Sequence, residues 1–336
     1  MVNSKKIRTA ISIGDPNGIG IEIILKALST EGILEKTIPI VFGSYDLIYS
    51  QAKQLGQDTS MLHSISEINN IKETKINILN VFDNCEYQFG LLDKAVSDCG
   101  ILSFQSAINA VKNKQADILV TAPINKNAAH SARFKFLGQT DYLSSFFNVE
   151  ALMLMVAENL KIALTTDHIP LKEVHSILSK DLIKRKIETL NKALKDDFEI
   201  LNPKIAVLAI NPHAGDNGVI GDDDNNLTIP VINELNSKNF SIEGPYPSDT
   251  FFSNERYKKY DAVLAVYHDQ GLIPFKTINF GKGVNFSAGL PIIRTSPDHG
   301  TAYDIAGKGL ADPTSFINAI EIASNIYFAR NNLIYK

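Results

Sequence analysis

Short apolar runs rich in Val, Ile and Ala alternate with helix-length stretches along the whole chain. That alternation confines it to α/β architectures whose strands are mostly parallel. The runs at 7–14, 38–43, 76–81, 116–121, 152–157, 160–165, 204–211 and 261–268 read as strands. Near-continuous apolarity over such short runs marks strands covered on both faces. Between them, 21–28, 45–55, 102–112, 181–195, 228–235 and 314–328 carry helical patterns. The last opens on Asp312-Pro-Thr314, a capping residue followed by proline, which suits a helix start.

With 336 residues the chain exceeds the ~250–300 at which single cores stop growing, so two lobes are expected. A net charge of −4, with no basic block, gives no footing for non-specific nucleic-acid binding. Two cysteines, Cys85 and Cys99, are too few for a disulfide framework and fit a reducing compartment. No run reaches the ~18 apolar residues of a membrane span, and residues 1–8 carry lysines without an apolar signal core behind them. The cytoplasm is the expected location, with no membrane or nucleic-acid partner. The acidic run Asp222-Asp-Asp224 lies among Gly and Asn and reads as a solvated turn rather than a metal cage.

Three strands end on histidine: His168, His213 and His268. Ligands of parallel α/β sheets bind beyond the carboxyl ends of the strands. Three imidazoles there would suit a divalent metal with open positions. No HxxxH or HxH pair supports that reading, and three unrelated polar strand ends remain an equal alternative. His63, His130 and His175 have no partner pattern and read as surface or structural residues. In Tyr267-His-Asp-Gln-Gly-Leu-Ile-Pro-Phe-Lys276, titratable groups stand where a core strand should end in a plain turn, and that turn is expected to carry Lys276 onward. Gly14-Asp-Pro-Asn-Gly-Ile-Gly20 joins the first strand to the first helix, where glycines admit a ligand to the backbone and the helix N-terminus favours an anion. It has neither the P-loop lysine nor the GxGxxG spacing, since Ile23 stands at the last glycine position. Phe280-Gly-Lys-Gly-Val-Asn285 is a second Gly-rich turn, and Arg294 follows another apolar run. Lys276, Lys282 and Arg294 read as a local cationic set suited to phosphate or carboxylate. No GxSxG and no sequence-adjacent Cys–His pair points to covalent catalysis.

Eight segments then occur in order: Gly14-Asp-Pro-Asn-Gly-Ile-Gly20, Thr121-Ala-Pro-Ile-Asn-Lys126, Asp167-His-Ile-Pro-Leu171, Asn211-Pro-His-Ala-Gly215, Pro247-Ser-Asp-Thr250, Tyr267-His-Asp-Gln-Gly271, Phe280-Gly-Lys-Gly-Val-Asn285 and Arg294-Thr-Ser-Pro-Asp-His-Gly-Thr301. Together they make the chain resemble the 4-hydroxythreonine-4-phosphate dehydrogenase (PdxA) family over nearly its whole length. The resemblance implies two α/β/α lobes with a central cleft, isocitrate/isopropylmalate-dehydrogenase-like and not Rossmann. The lobes fall at about 1–128 plus 300–336 and at 129–299, the second carrying most metal and substrate residues. It also implies NAD or NADP, through contacts the sequence does not name, and one divalent ion (Zn, Co or Mg) on His168, His213 and His268. Substrate contacts map onto Thr140, Lys276, Asn285 and Arg294, with Asp249 and Lys276 as the candidates for proton handling. A homodimer with its active site shared between subunits is implied, and one form of sharing brings His268 from the opposite subunit.

The family chemistry is oxidation of 4-phosphooxy-L-threonine at C3 with hydride passing to the nicotinamide. The β-keto acid then loses CO2 to give 3-amino-2-oxopropyl phosphate, a step of pyridoxal 5'-phosphate (vitamin B6) biosynthesis. Related dehydrogenases acting on 4-phosphoerythronate or 4-phosphothreonate are the nearest alternative. A metal-dependent transferase or hydrolase without redox chemistry is the alternative of another class. In one place the chain departs from the family: Gly138-Gln-Thr-Asp141 stands where Gly-His-Thr-Glu is usual. Gln139 is expected to meet the anionic end of the substrate as a neutral hydrogen-bond donor, since an amide neither carries charge nor shuttles a proton.

Overall fold

The computed structural model describes residues 6–83, 85–129, 134–136 and 138–331; His130 lies outside them. The chain forms two compact units, one of residues up to Phe147 with Leu290–Phe328, the other of Asn148–Gly289 with Ala329–Asn332.

In the first unit, β1 (Ile7–Ser12), β2 (Thr37–Gly43), β3 (Leu62–Ile65), β4 (Ile76–Asn80), β5 (Ile118–Thr121) and β12 (Arg294–Pro297) lie in the order β3-β4-β2-β1-β5-β12. Every one of these pairings is parallel. The order is not the 3-2-1-4-5-6 of dinucleotide-binding Rossmann sheets. All seven residues of β2 are buried, as a strand covered on both faces requires. The helix Lys94–Lys112 begins at Asp93, whose Oδ1 accepts from the backbone N–H of Ala95 and Val96 at 2.7 and 3.2 Å. That cap satisfies donors the first turn leaves without partners. The helix buries Ile101, Phe104 and Ile108, each such side chain stabilising the fold by about 1.5–3 kcal/mol. Gly100 brings it down onto the turn after β1, where a Cβ would stand 2.2 Å from the Gly14 carbonyl oxygen.

The second unit holds β6 (Leu152–Ala157), β7 (Leu160–Leu164), β8 (Lys204–Leu208), β9 (Ser241–Tyr246), β10 (Ala262–Ala265) and β11 (Val284–Ala288), ordered β11-β6-β7-β10-β8-β9. Here β6 runs antiparallel to both neighbours, forming a tight hairpin with β7 through Glu158-Asn159. The other pairings are parallel. The helix Lys180–Asp196 starts where Ser179 Oγ accepts from Leu182 N–H at 3.2 Å, and it buries Ile183, Ile187, Leu190 and Leu194 along one stripe.

The unit boundaries fall at 147/148 and 289/290 rather than 128/129 and 299/300. Aromatic packing and strand pairing explain the shift. Tyr142, on the helix Gln139–Phe147, packs on Phe104 and stacks on Phe134, each at 5.5 Å between ring centroids. Arg294 and Thr295 of β12 pair with Leu119 and Val120 of β5. Thr140 and Arg294 therefore belong to the first unit, and the strand-end histidines and Asn285 to the second. Among the described residues no helix is long and apolar enough to cross a membrane.

Candidate active site

In the second unit, β7, β10, β8 and β9 are consecutive neighbours and all parallel, so their carboxyl ends open on one edge. His168 follows β7, His268 follows β10, His213 follows β8 and Asp249 follows β9. Sheet order, not sequence order, makes the strands that carry these residues neighbours.

The rings of His168 and His268 stand 5.8 Å apart between centroids, tilted by 43°. Two imidazoles bound to one tetrahedral ion at Zn–N distances of ~2.0–2.1 Å would place their centroids roughly 5 Å apart. The pair is thus spaced to share an ion. His268 Nδ1 lies 2.7 Å from Asp269 Oδ1, a contact that orients the ring. The two rings meet within one chain.

His213 is different. It is exposed, in the left-handed region at φ 53°, and the following Ala214 shares that φ. Among the described residues no three His, Cys, Asp or Glu side chains form a group placed to hold a metal, so the structure assembles two of the three expected ligands. The loop that carries His213 is shaped by the acidic run after it. Asp224 is 0% exposed; its carboxylate accepts from Ile210 N–H at 3.0 Å, Asn211 N–H at 3.1 Å and Thr228 Oγ1–H at 3.1 Å. Asp223 accepts from Asn211 Nδ2 at 2.7 Å and contacts His175 Nε2 at 2.9 Å. The solvated turn expected for this run does not survive, while His175 is a surface residue with a structural contact, as expected. These groups hold a loop in shape.

Gln270 does similar work. Its Oε1 accepts from Val266 N–H at 2.6 Å, and its Nε2 donates to Ala209 O and to Ser248 Oγ, both at 2.8 Å. One amide thus ties together the ends of β10 and β8 and the helix Ser248–Ser253. Asp249 is exposed in the first turn of that helix. The stretch from His268 is itself a helix, His268–Ile278, not a turn. Lys276 lies eight residues into it, about 12 Å along the axis, and is exposed. Asn285 sits in β11 opposite Met155, and its Oδ1 is buried without a hydrogen-bond partner among the described residues. Such an atom costs about 1–3 kcal/mol until a donor reaches it, which suits a residue that meets a substrate amine or hydroxyl.

In the first unit, Arg294 opens β12 instead of following a strand, and it is 3% exposed. Its Nε and Nη2 donate to Thr121 Oγ1 at 3.1 and 2.7 Å, Nη2 also to Gln139 Oε1 at 2.5 Å, and Nη1 to Thr140 Oγ1 at 3.3 Å. Thr121 Oγ1 donates to Gln139 Oε1 at 2.8 Å, and Gln139 Nε2 donates to Ala122 O at 3.3 Å. Burial lowers the guanidinium pKa to about 9, which leaves it charged at neutral pH. The donor expected of Gln139 is therefore committed to a backbone carbonyl, and its acceptor holds Arg294. Lys276 and Lys282 are exposed residues of the second unit, whereas Arg294 is a buried residue of the first. His299, passed over in the sequence, follows β12 as the other strand-end histidines follow theirs, and its Nε2 is buried without a hydrogen-bond partner among the described residues.

A family model for "Pyridoxal phosphate biosynthetic protein PdxA" matches residues 35–323. The chain belongs to the PdxA family. It is 41% identical over 319 residues to a 4-hydroxythreonine-4-phosphate dehydrogenase of Sulfurihydrogenibium sp. (strain YO3AOP1), covering 94% of this chain and 97% of that relative. A second relative of that name, from Bacteroides thetaiotaomicron, is 39% identical over 332 residues, 97% of this chain and 90% of the relative. The crystal structure of the 4-hydroxythreonine-4-phosphate dehydrogenase from Klebsiella pneumoniae superposes with a TM-score of 0.83 at 32% identity, covering 97% of this chain and 99% of that one. The PdxA-family match takes in parts of both units and all the strand-end histidines.

Proposed function

We propose that the chain oxidises 4-phosphooxy-L-threonine at C3 with NAD or NADP and releases CO2, giving 3-amino-2-oxopropyl phosphate for pyridoxal 5'-phosphate synthesis in the cytoplasm. The carrying observation is the match, across 94% of the chain, to a 4-hydroxythreonine-4-phosphate dehydrogenase. The fit of the donor set supports it.

A divalent ion (Zn, Co or Mg) held by His168 and His268, with His213 as the third ligand, would supply a Lewis acid that favours ionisation of the substrate hydroxyl and polarises the ketone it becomes. The chain's own residues bind and orient. Asn285 Oδ1, buried and without a donor, accepts from the substrate's amine or hydroxyl. Arg294, pinned beside Thr140 in a dry setting, presents positive charge to an anionic end of the substrate. Lys276 and Asp249 are exposed, as groups that exchange protons with substrate and solvent must be, and we assign the proton handling to them. Lys276 also binds the substrate. Holding C3 against the nicotinamide then rests on fixed hydrogen bonds rather than on covalent attachment.

The working form we propose is a homodimer with a shared site. Apolar side chains crowd the exposed end of the Lys276 helix: Phe280 is 88% exposed, Ile273 64% and Ile278 42%. A second copy laid on that surface would remove them from water. The test is the appearance of reduced nicotinamide with 4-phosphooxy-L-threonine, 4-phosphoerythronate and 4-phosphothreonate supplied separately. Preference for the first supports the proposal. Preference for a hydroxy acid assigns the chain to a sister activity, and no reduction with any of the three removes the redox reading.

A further inference from the structure

Beyond the last ladder pair of β7 and β10, the hydrogen bonds do not stop. Thr165 N–H donates to Ala265 O at 2.8 Å and Thr166 N–H to Val266 O at 3.1 Å. Thr166 Oγ1 donates to the same Val266 carbonyl at 2.9 Å. Thr166 stands two residues before His168, and Val266 two residues before His268. Both are 6% exposed, so water competes little for these bonds.

The other backbone group of Val266 turns to Gln270. Its N–H donates to Gln270 Oε1 at 2.6 Å. Gln270 is the third residue of the helix His268–Ile278, and its side chain folds back over the start of that helix, as a capping-box glutamine does. Its Nε2 donates to Ala209 O, four residues before His213, and to Ser248 Oγ, beside Asp249, both at 2.8 Å. Ala209 N–H in turn donates to Tyr246 O at 2.8 Å, which carries the connection to β9. Val266 and Gln270 thus join the three segments that bear the strand-end histidines.

The chemistry of the node requires an amide. Val266 N–H needs an acceptor, and the Ala209 carbonyl needs a donor. Glutamate offers no donor, lysine and arginine offer no acceptor, and asparagine is shorter by one methylene.

We propose that Gln270 is a positioning residue of the metal site: its amide fixes the end of β8, which leads to His213, against the ends of β7 and β10, which lead to His168 and His268. This assignment rests on the reading in which those histidines bind one divalent ion. Ligands on separate strand ends bind tightly only where their spacing is set before the ion arrives, and outer groups that set it are worth about 10–100-fold in metal affinity.

The experiment titrates Co2+ into the metal-free, full-length chain by equilibrium dialysis, with thermal melting in parallel. Gln270→Met keeps the side chain's length and removes all three bonds; its Co2+ dissociation constant should rise about 10–100-fold. Gln270→Glu can still accept from Val266 N–H and Ser248 Oγ–H and loses only the bond to Ala209 O. It should weaken Co2+ binding by about tenfold, and it stands as the test should the Met variant not fold. Ile187→Val, a core change in the same unit, should lower the melting midpoint yet hold Co2+ affinity within about twofold of wild type. Wild-type affinity in both Gln270 variants would overturn the positioning role and leave the metal reading standing. An equal loss of affinity in Ile187→Val would also overturn it, since general destabilisation would then account for the effect. No Co2+ bound by the wild type would remove the metal reading, and the positioning role with it.

Discussion

Replacing Gln139 by Met keeps the length and shape of the side chain while removing both its acceptor and its donor. The acceptor receives Arg294 Nη2–H at 2.5 Å and Thr121 Oγ1–H at 2.8 Å; the donor reaches Ala122 O at 3.3 Å. A hydrogen bond to a charged group contributes about 1.5–3 kcal/mol and a neutral one about 1 kcal/mol, while the long contact to Ala122 adds little. The loss is therefore about 2.5–4 kcal/mol, concentrated in the first unit. At ~2–4 °C per kcal/mol for a unit of this size, its unfolding midpoint should fall by roughly 5–15 °C. Calorimetry, which resolves the two units where they melt separately, is the assay for that part. Steady-state kinetics is the assay for the rest: Arg294 loses its fixed orientation, so KM for the phosphorylated substrate should rise about tenfold or more while kcat changes less. A midpoint within about 2 °C of wild type together with an unchanged KM would refute the role given to Gln139, because nothing would then depend on its grip on Arg294.

Further expectations can be checked alongside. Burial lowers the Arg294 pKa to about 9, so substrate KM should stay level between pH 6 and 8 and climb as pH passes about 9. The unfolded chain binds the extra proton between about 9 and its ordinary value of about 12.5, so native stability should rise with pH across that same window, as urea titrations at each pH would show. Asp224→Asn leaves one acceptor for three donors and turns an amide N–H toward them; the His213 loop should loosen and divalent-metal affinity should fall by about 10–100-fold, measured by equilibrium dialysis. Because His168 and His268 meet within one chain, heterodimers of His168→Ala and His268→Ala should regain no activity despite verified subunit exchange, and recovery would show that the pair is completed across the dimer.

The repeating architecture was legible because buried parallel strands are marked by continuous apolar runs. β6 was read end to end as 152–157, and the strand-end rule picked out His168, His213 and His268. What escaped was short or disguised. β3 and β12 have four residues each, too few for a periodic pattern. The helix His268–Ile278 contains Gly271 and Pro274, which read as turn signals. Gly271 is there for contact: a Cβ would stand 2.9 Å from side chains of Ile162 and Leu164 on β7. Polar side chains that fold inward were the other loss. Asp224 sits in a run of three acids, and nothing local distinguishes the buried carboxylate from its less buried neighbours. Gln139 was misjudged for a different reason, since its partners Thr121 and Arg294 lie 18 and 155 positions away and only the folded sheet brings them together.

Oxidation at C3 followed by decarboxylation is tested most directly by following carbon and hydride together. With the substrate labelled in its carboxyl carbon and the enzyme supplied with Zn, Co or Mg, the account predicts one labelled CO2 for each reduced nicotinamide formed. Reduced nicotinamide without CO2 would place the oxidation at another carbon. Substrate consumption with no reduced nicotinamide at all would contradict the dehydrogenase reading outright.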